Sequence, residues 1–258
     1  MDKVILKSGN DLALMRQSGR LLASVFAYLD SLVVAGISTM EINDAVDNFI
    51  TDKLNARPAS KGQYGFPYSL NTSINDVVCH GIPSASQFLK SGDIINVDIT
   101  LEKNSFIADS SKMYMIGEVT PLAKQLVEKT YTALWEGIRV VKPGATLGDI
   151  GHAIQQYARA QGYSVVREYC GHGIGREMHE APQVLHHGKP NSGLVLREGM
   201  TFTIEPMINQ GTAKVKTKRD GWTVVTCDKK LSAQWEHTIA VTADGFEVLT
   251  LRDDERMS

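Results

Sequence analysis

The 258-residue sequence predicts a mixed α/β (α+β) fold made of two similar αα-plus-β halves related by a pseudo-twofold. Three observations predict it. Helical periodicity dominates one stretch of each half. Short segments with alternating apolar residues follow each helical stretch. Two patterns of the first half also return in the second. Val33-x-x-Gly36-x-Ser38-x-x-Glu41-Ile42-x-x-Ala45-Val46 recurs as Val141-x-x-Gly144-x-Thr146-x-x-Asp149-Ile150-x-x-Ala153-Ile154. Gly92-Asp93-Ile94-Ile95-Asn96-Val97-Asp98 is echoed by Gly199-Met200-Thr201-Phe202-Thr203-Ile204-Glu205. The offsets, 36 to 144 and 92 to 199, are nearly equal, which sets the pair apart from a chance repeat of a common capping box. A carboxylate then stands at the matching strand position of each half, Asp98 and Glu205, and a site shared by the halves receives one from each.

The first helix is predicted from Asn10-Asp11, both good N-caps, with Leu14, Leu21, Leu22, Val25, Leu29 and Leu32 at helical spacing and a stop near Ala35-Gly36. The second opens at Ser38, with Glu41 completing a capping box, and runs to about Ala56. Residues 57–73, with Pro58, Gly62, Gly65 and Pro67, read as an ordered loop bearing Tyr64, Phe66 and Tyr68. Val97–Leu101 alternates as a strand. The third helix starts with Thr120 as cap and Pro121 at its first position, and stops at Lys142-Pro143-Gly144. The fourth runs from Thr146, with Asp149 at the box position, to Gly162. Thr201–Ile204 and Thr238–Val241 read as strands.

Composition narrows the function. Apolar residues make up 43% and the net charge is −2, which argues against disorder and against general nucleic-acid binding. The basic run Lys214–Arg219 reads as a solvated loop or edge strand. Three scattered cysteines, Cys79, Cys170 and Cys227, suit a reducing compartment. The N-terminus has no signal-like apolar stretch and the chain has no transmembrane-length one, so the expected setting is cytoplasmic.

The chemistry starts at Asp98, which shares a strand face with Asn96 and Thr100. A two-residue turn at Lys103-Asn104 would place Asp98 directly opposite Asp109; a three-residue loop would leave them diagonal. Facing like charges need a cation or a shared proton, unless both point to solvent. The glycine-rich run from Glu168 to Glu180 exposes His172 and His179. His80, in a second His-Gly-Ile tripeptide, belongs to the first half. Glu205 and Glu236 stand at strand ends. Asp98, Asp109, Glu205 and Glu236 together carry four negative charges, and burying them without cations is prohibitive. Two divalent ions balance that charge. Oxygen ligands with one imidazole, His172, suit Mn²⁺, Fe²⁺, Co²⁺ or Zn²⁺. Two such ions activate a water for hydrolysis.

The same residues resemble a known family. His80 within Asn75–Pro83, Asp98 in Asn96-Val97-Asp98 and Asp109 in Asp109-Ser110-Ser111-Lys112-Met113 look like type I methionine aminopeptidases. So do Tyr169-Cys170-Gly171-His172-Gly173-Ile174-Gly175, Thr203-Ile204-Glu205-Pro206-Met207 and Ser232-Ala233-Gln234-Trp235-Glu236-His237-Thr238. The likeness runs from about Asn10 to Asp253, and the length is similar to the short bacterial form. It implies the pita-bread fold, with a central curved antiparallel sheet, as one catalytic domain over 1–258 with internal halves of about 10–118 and 119–250. It implies that Asp98, Asp109, His172, Glu205 and Glu236 ligate two metal ions, with Asp109 and Glu236 bridging both. Glu205 would also shuttle the proton of the attacking water, His179 would stabilise the oxyanion, and His80 would contact the substrate beside the scissile bond. The free N-terminal amine would bind a metal. The implied function is excision of N-terminal methionine from newly made proteins by a monomer, with the ribosome as a further partner.

The methionine pocket departs from the family pattern. Ser60 and Asn71 stand where cysteines are frequent, Gln63 and Phe66 where tyrosines are, and Met178 where phenylalanine is; Trp222 is retained. Relaxed or altered side-chain selectivity is therefore the first alternative. A proline-directed relative would generally be longer, and a non-catalytic peptide- or ribosome-binding relative would be expected to lack ligands that are present here. Plainer roles are expected elsewhere: Trp135 in the core, His152 on the surface, His186 and His187 solvated in a loop. Cys79 and Cys170 have no nucleophile–base spacing. His237, adjacent to a ligand on a strand, faces the other way.

Overall fold

The structure, a computed structural model, describes residues 3–255. Ser8 caps α1 (Gly9–Leu29) with a full capping box to Asp11, so the helix begins just before the expected Asn10-Asp11, and Asp11 is the partner of the cap rather than the cap. Met15, Leu22, Val25, Phe26 and Leu29 form its buried stripe. The helix ends well before Gly36, because residues 30–37 turn to meet Leu89. Ser38 and Glu41 cap α2 (Thr39–Asn48) as predicted. Its last turn widens into a π-helical turn, Phe49–Lys53, close to the expected stop at Ala56. Residues 57–73 are more regular than expected. They hold β1 (Arg57–Pro58), a short 3₁₀ turn at Gln63–Gly65 and most of β2 (Leu70–Ile74). The Pro and Gly residues there punctuate short elements rather than one loop.

After β3 (Val77–Cys79) comes the long hairpin of β4 (Ile94–Lys103) and β5 (Phe106–Met115). Thr120 caps α3 (Pro121–Arg139), with Pro121 at its first turn, and Thr146 caps α4 (Leu147–Ala160) through a box with Asp149. Then come β6 (Ser164–Val165), β7 (Gly171–Gly173), β8 (Glu180–Val184), β9 (Thr201–Ile204) and β10 (Met207–Asn209). The chain continues through β11 (Val215–Thr217), β12 (Val224–Thr226), β13 (Ser232–Gln234), β14 (His237–Val241) and β15 (Phe246–Val248). The basic run lies on β11, an exposed edge strand, as read from its charge.

The two echoed patterns occupy corresponding elements. Ser38 and Thr146 both cap helices, and Gly92–Asp98 and Gly199–Glu205 both lead into sheet strands. In the first sheet β1 and β2 pair with one edge of β4 and β5 with the other; the second runs β15-β14-β9-β7-β8. All pairings are antiparallel. Each helix pair buries its apolar stripe on its own sheet. Leu22, Phe26, Ile42 and Val46 pack against Leu70, Val97 and Ile99; Leu134, Ile138, Ile150 and Ile154 pack against Phe202, Ile204 and Ile239. The sheets meet where Ser111 bridges Glu236 and where β5 packs on β14. That seam is where side chains of both sheets face one cavity.

No described helix is long and apolar enough to cross a membrane. Trp135 is 5% exposed, a core residue as expected. His152 is half-buried on α4. His186 departs from expectation: instead of being solvated it is 1% exposed. Its neighbour His187 is half-buried.

Candidate metal centre and active-site pocket

A cavity of about 790 Å³ opens at the seam, and every residue singled out from the sequence for chemistry or substrate contact lines it. Asp98 comes from β4 and Asp109 from β5. Their pairing differs from direct opposition. The register sets Asp98 against Ser111 and Thr100 against Asp109, because the turn is Asn104-Ser105, one residue later than expected. Both turn residues have positive φ (53° and 61°), the geometry of a two-residue hairpin turn, and asparagine tolerates it well. The one-residue displacement of the turn moves the register by two, so both aspartates keep the same face as diagonal neighbours.

Hydroxyls and backbone hold these carboxylates. Thr100 Oγ1 donates to Asp109 Oδ1 at 2.8 Å. Thr238 Oγ1 donates to the Asp109 carbonyl at 2.8 Å and accepts from its N–H at 3.2 Å, which ties β5 to β14. Glu236 N–H reaches Ser111 O at 3.3 Å and sets that carboxylate beside Asp109. Thr203 Oγ1 accepts from His172 N–H at 3.0 Å and donates to Glu205 Oε1 at 2.8 Å, which links β7 to the end of β9. The glycines beside His172 are required by space. A Cβ at Gly171 would collide with Thr203 O, and one at Gly173 with Ala181 O.

The electrostatics call for cations. Asp109, Glu205 and Glu236 are 6%, 8% and 2% exposed. Burial, reinforced by the neighbouring carboxylates, pushes Asp98, Glu205 and Glu236 well above the usual carboxylate range. Burial raises Asp109 to about 7 against the hydrogen bonds from Thr100 and Ser110. His172 moves the opposite way, down to about 3, through burial and the nearby His179. Its ring is therefore neutral. Nδ1 lies 3.1 Å from Gly173 O, and since a carbonyl only accepts, Nδ1 carries the proton. The bare Nε2 lone pair then faces Asp109 Oδ2 at 3.7 Å and Glu205 Oε1 at 3.6 Å. Without a cation the cluster keeps protons on its carboxyls, as their raised pKa values show, and all of its ligand atoms are acceptors once those protons leave. A divalent cation resolves that arrangement, and the mixed oxygen and imidazole donors suit one. Ligand atoms of Asp109, His172 and Glu236 all lie within 4.8 Å of one another, and Asp98 and Glu205 line the same cavity.

Around this centre stand the accessory histidines and the pocket walls. His80 follows β3 with a left-handed φ of 56°, a strained conformation of the kind that collects at functional sites. Cys79, the residue before it, pairs with Val224 of β12, which brings His80 close to Trp222. His179 precedes β8, and its ring meets His172 edge-on at 4.3 Å. The loop that carries it is anchored by Glu180, which accepts from Lys7 Nζ at 2.5 Å and from Arg176 N–H at 2.9 Å. Phe66, 3% exposed, tilts against Trp222 at 5.1 Å. Asn71 stands opposite Asp98 across β2 and β4, and Met178 is 8% exposed.

The sequence profile of Metallopeptidase family M24 matches residues 13–243. The methionine aminopeptidase of Salmonella typhimurium (strain LT2) is 49% identical over 252 residues, 98% of this chain and 96% of that protein. The one from Rickettsia prowazekii (strain Madrid E) is 51% identical over 242 residues, 93% of each chain. This chain is a member of the M24 methionine aminopeptidases. Its fold agrees. A crystal structure of methionine aminopeptidase from Rickettsia prowazekii superposes with a TM-score of 0.95 at 50% identity, covering 96% of this chain and 100% of the other. A prolidase from Pyrococcus horikoshii OT3, 21% identical with a TM-score of 0.75, shares the fold; this chain spans 65% of it. The pita-bread fold implied by the motifs is thus the observed one. The metallopeptidase family and the cluster of Asp109, His172 and Glu236 together point to use of divalent metal.

The methionine aminopeptidase motifs left two contributors unnoticed. His186 sits behind Glu205, its Nε2 accepting the Glu205 N–H at 3.1 Å. Burial first, then His187 and His172, brings its pKa down to about 3, so it stays a neutral acceptor. The His-His-Gly-Lys-Pro context looks like a surface loop, and nothing local announces the buried contact. Tyr64, read only as an aromatic in a loop, stacks on His179 with ring centroids 5.7 Å apart. His237, by contrast, turns away from the cavity as strand alternation requires.

Proposed function

We propose that this protein hydrolyses the first peptide bond of chains that begin with methionine, using two divalent ions held by Asp98, Asp109, His172, Glu205 and Glu236. Mn²⁺, Fe²⁺, Co²⁺ and Zn²⁺ all suit that donor set. The observation that carries the reading is the His172 Nε2 lone pair facing two buried carboxylates at the floor of a cavity walled by Phe66 and Trp222. When bound, the ions supply Lewis acidity, which brings a water within reach of deprotonation near neutral pH.

The rest falls to the chain. Glu205, gripped by Thr203, takes the proton of the attacking water and returns it to the leaving amine. His179 donates a hydrogen bond to the carbonyl oxygen as negative charge develops on it. His80 contacts the peptide beside the scissile bond. Phe66, Met178 and Trp222 offer apolar contact to the methionine side chain, with Asn71 at the wall nearest Asp98. The reading includes one catalytic domain over 1–258 with halves of about 10–118 and 119–250. It also includes a cytoplasmic monomer that works on newly made proteins, with the ribosome as a partner. Those parts rest on the family likeness.

The test is amino-acid release from X-Ala-Ser peptides by chelator-treated protein, with and without Mn²⁺ or Co²⁺. Metal-dependent release of methionine alone is expected. Release of other residues at comparable rates would replace the selective pocket by a relaxed one, since small changes in apolar walls are worth only ~1–3 kcal/mol of discrimination. No release with either metal would overturn the hydrolytic reading.

Metal binding should also register as stability. At a free Mn²⁺ concentration of about 100 times Kd, linkage contributes about 2.7 kcal/mol. For a chain of this size that raises Tm by about 5–10 °C in a thermal scan. An unchanged Tm at saturating Mn²⁺ and Co²⁺ would count against the centre.

A further inference from the structure

Tyr64 stands 73% exposed on the cavity rim and touches His179 in two ways. Its hydroxyl lies 3.2 Å from His179 Nδ1, and the two rings stack at an interplanar angle of 18°. His172 meets the same imidazole edge-on at 70°. The His179 ring is thus held by the metal-centre histidine and by a residue from a different part of the chain. The placement of Tyr64 costs backbone strain. Its φ of 49° and ψ of 25° are left-handed, a conformation that bulky side chains rarely adopt. Gly62 and Gly65 on either side have φ of 90° and 84°, with nothing within 4 Å of a Cβ built there. Conformation rather than crowding therefore makes glycine necessary at both. The turn is closed by Gly62 N–H to Phe66 O at 2.7 Å and Phe66 N–H to Gln63 O at 2.9 Å. Strain of this kind persists only where contacts hold it; here the turn's own backbone bonds hold the chain, and the side-chain contacts are with His179.

Hydrogen-bond chemistry gives the contact a direction. A phenol is the stronger donor of the pair and an imidazole nitrogen the stronger acceptor. A neutral imidazole has one donor nitrogen and one acceptor nitrogen. We propose that Tyr64 is a positioning residue for His179: its hydroxyl donates to Nδ1, which fixes the tautomer and leaves Nε2–H as the donor presented to the peptide carbonyl. This rests on the reading of His179 as that donor. A histidine whose tautomer is fixed by a second residue is a recurring device in catalysis. Here the second residue is an aromatic on a strained, exposed turn rather than a buried carboxylate.

The test compares Tyr64→Phe, His179→Gln and the double variant for methionine release from Met-Ala-Ser by the metal-loaded enzyme. It adds the imidazole ¹⁵N spectrum of the histidine-labelled protein, with the His179 signals assigned by their loss in His179→Gln. Tyr64 is exposed, so the phenylalanine variant leaves the core intact. The expected result is that Tyr64→Phe lowers kcat about tenfold, the rate equivalent of one hydrogen bond, with KM within about twofold. The ¹⁵N shifts of His179 should move from one tautomer toward a mixture. His179→Gln should lower kcat by at least about 100-fold, and adding Tyr64→Phe to it should cost nothing further. If Tyr64→Phe keeps kcat and the ¹⁵N pattern while His179→Gln remains slow, the positioning role is overturned and the role of His179 stands. A change in KM alone also overturns it, in favour of a peptide contact. A His179→Gln enzyme at full rate overturns the reading of His179 and the proposal with it.

Discussion

Asp109→Ala is expected to reduce methionine release by at least about 1,000-fold, which corresponds to about 4 kcal/mol in the barrier. The side chain stands among Thr100, His172 and Glu236, and under the proposed function it serves both ions. Its removal deprives the centre of the Lewis acidity on which hydrolysis depends. The fold should survive, because Thr238 holds the Asp109 backbone on both its N–H and its carbonyl, and the substitution gives up chiefly the side-chain bond from Thr100. A distinctive second readout follows from electrostatics. Without metal, Asp109 is one of several buried carboxylates that repel each other, so the alanine variant should melt no lower than the metal-free parent. The rise in Tm on adding Mn²⁺ should disappear in the same variant. Turnover at the parent rate would remove Asp109 from the centre.

The largest loss of stability is expected from Glu255→Gln. Arg252 Nη2 meets Glu255 Oε1 at 2.6 Å, with side chains 3% and 6% exposed. The guanidinium also donates from Nη1 to Ser110 Oγ at 3.1 Å, and Ser110 in turn bonds the Glu236 carbonyl at 2.6 Å. Removal of one partner of such a pair leaves a buried charge uncompensated, at a cost of about 3 kcal/mol, or roughly a 10 °C drop in Tm. Burial alone would raise the Glu255 carboxyl, but the hydrogen bond from His237 and the charge of Arg252 outweigh it and bring it down to about 2. A depressed carboxylate stabilises the folded chain above its ordinary value of 4.5 and loses that contribution as pH falls toward 2. The difference between parent and variant should therefore be full at pH 6–8, shrink below about 4.5 and close near pH 2. Denaturant melts at several pH values measure it. A constant difference across that range would assign the effect to packing.

Helix starts were legible because capping is local. Ser38 with Glu41, Thr146 with Asp149 and Thr120 with Pro121 each state their role within four residues. Asp98 was legible for a different reason: its strand alternates apolar and polar residues and so reports which face the carboxylate takes, and the four carboxylates gathered at strand ends and across the hairpin demand compensation. The exact pairing of Asp98 was not. It depends on where a two-residue turn falls, and Lys103-Asn104 and Asn104-Ser105 are equally polar. Only backbone geometry separates them. His186 was misread because its partner, the Glu205 N–H, lies in another strand, and no residue near it in sequence records that contact. Tyr64 was hidden similarly, since its partner follows 115 positions later.

The bridge between Ser111 and Glu236 has a consequence for the timing of synthesis. The acidic centre draws on residues from Asp98 to Glu236, so it has no partial version. A ribosome that has threaded out everything up to residue 230 has already delivered Asp98, Asp109, His172 and Glu205, yet the strand that closes the seam is still inside the exit tunnel. Such distant contacts form late and slowly. The centre is therefore completed only by the segment that carries Glu236 and leads into β14, which follows all its other acidic members in the order of translation.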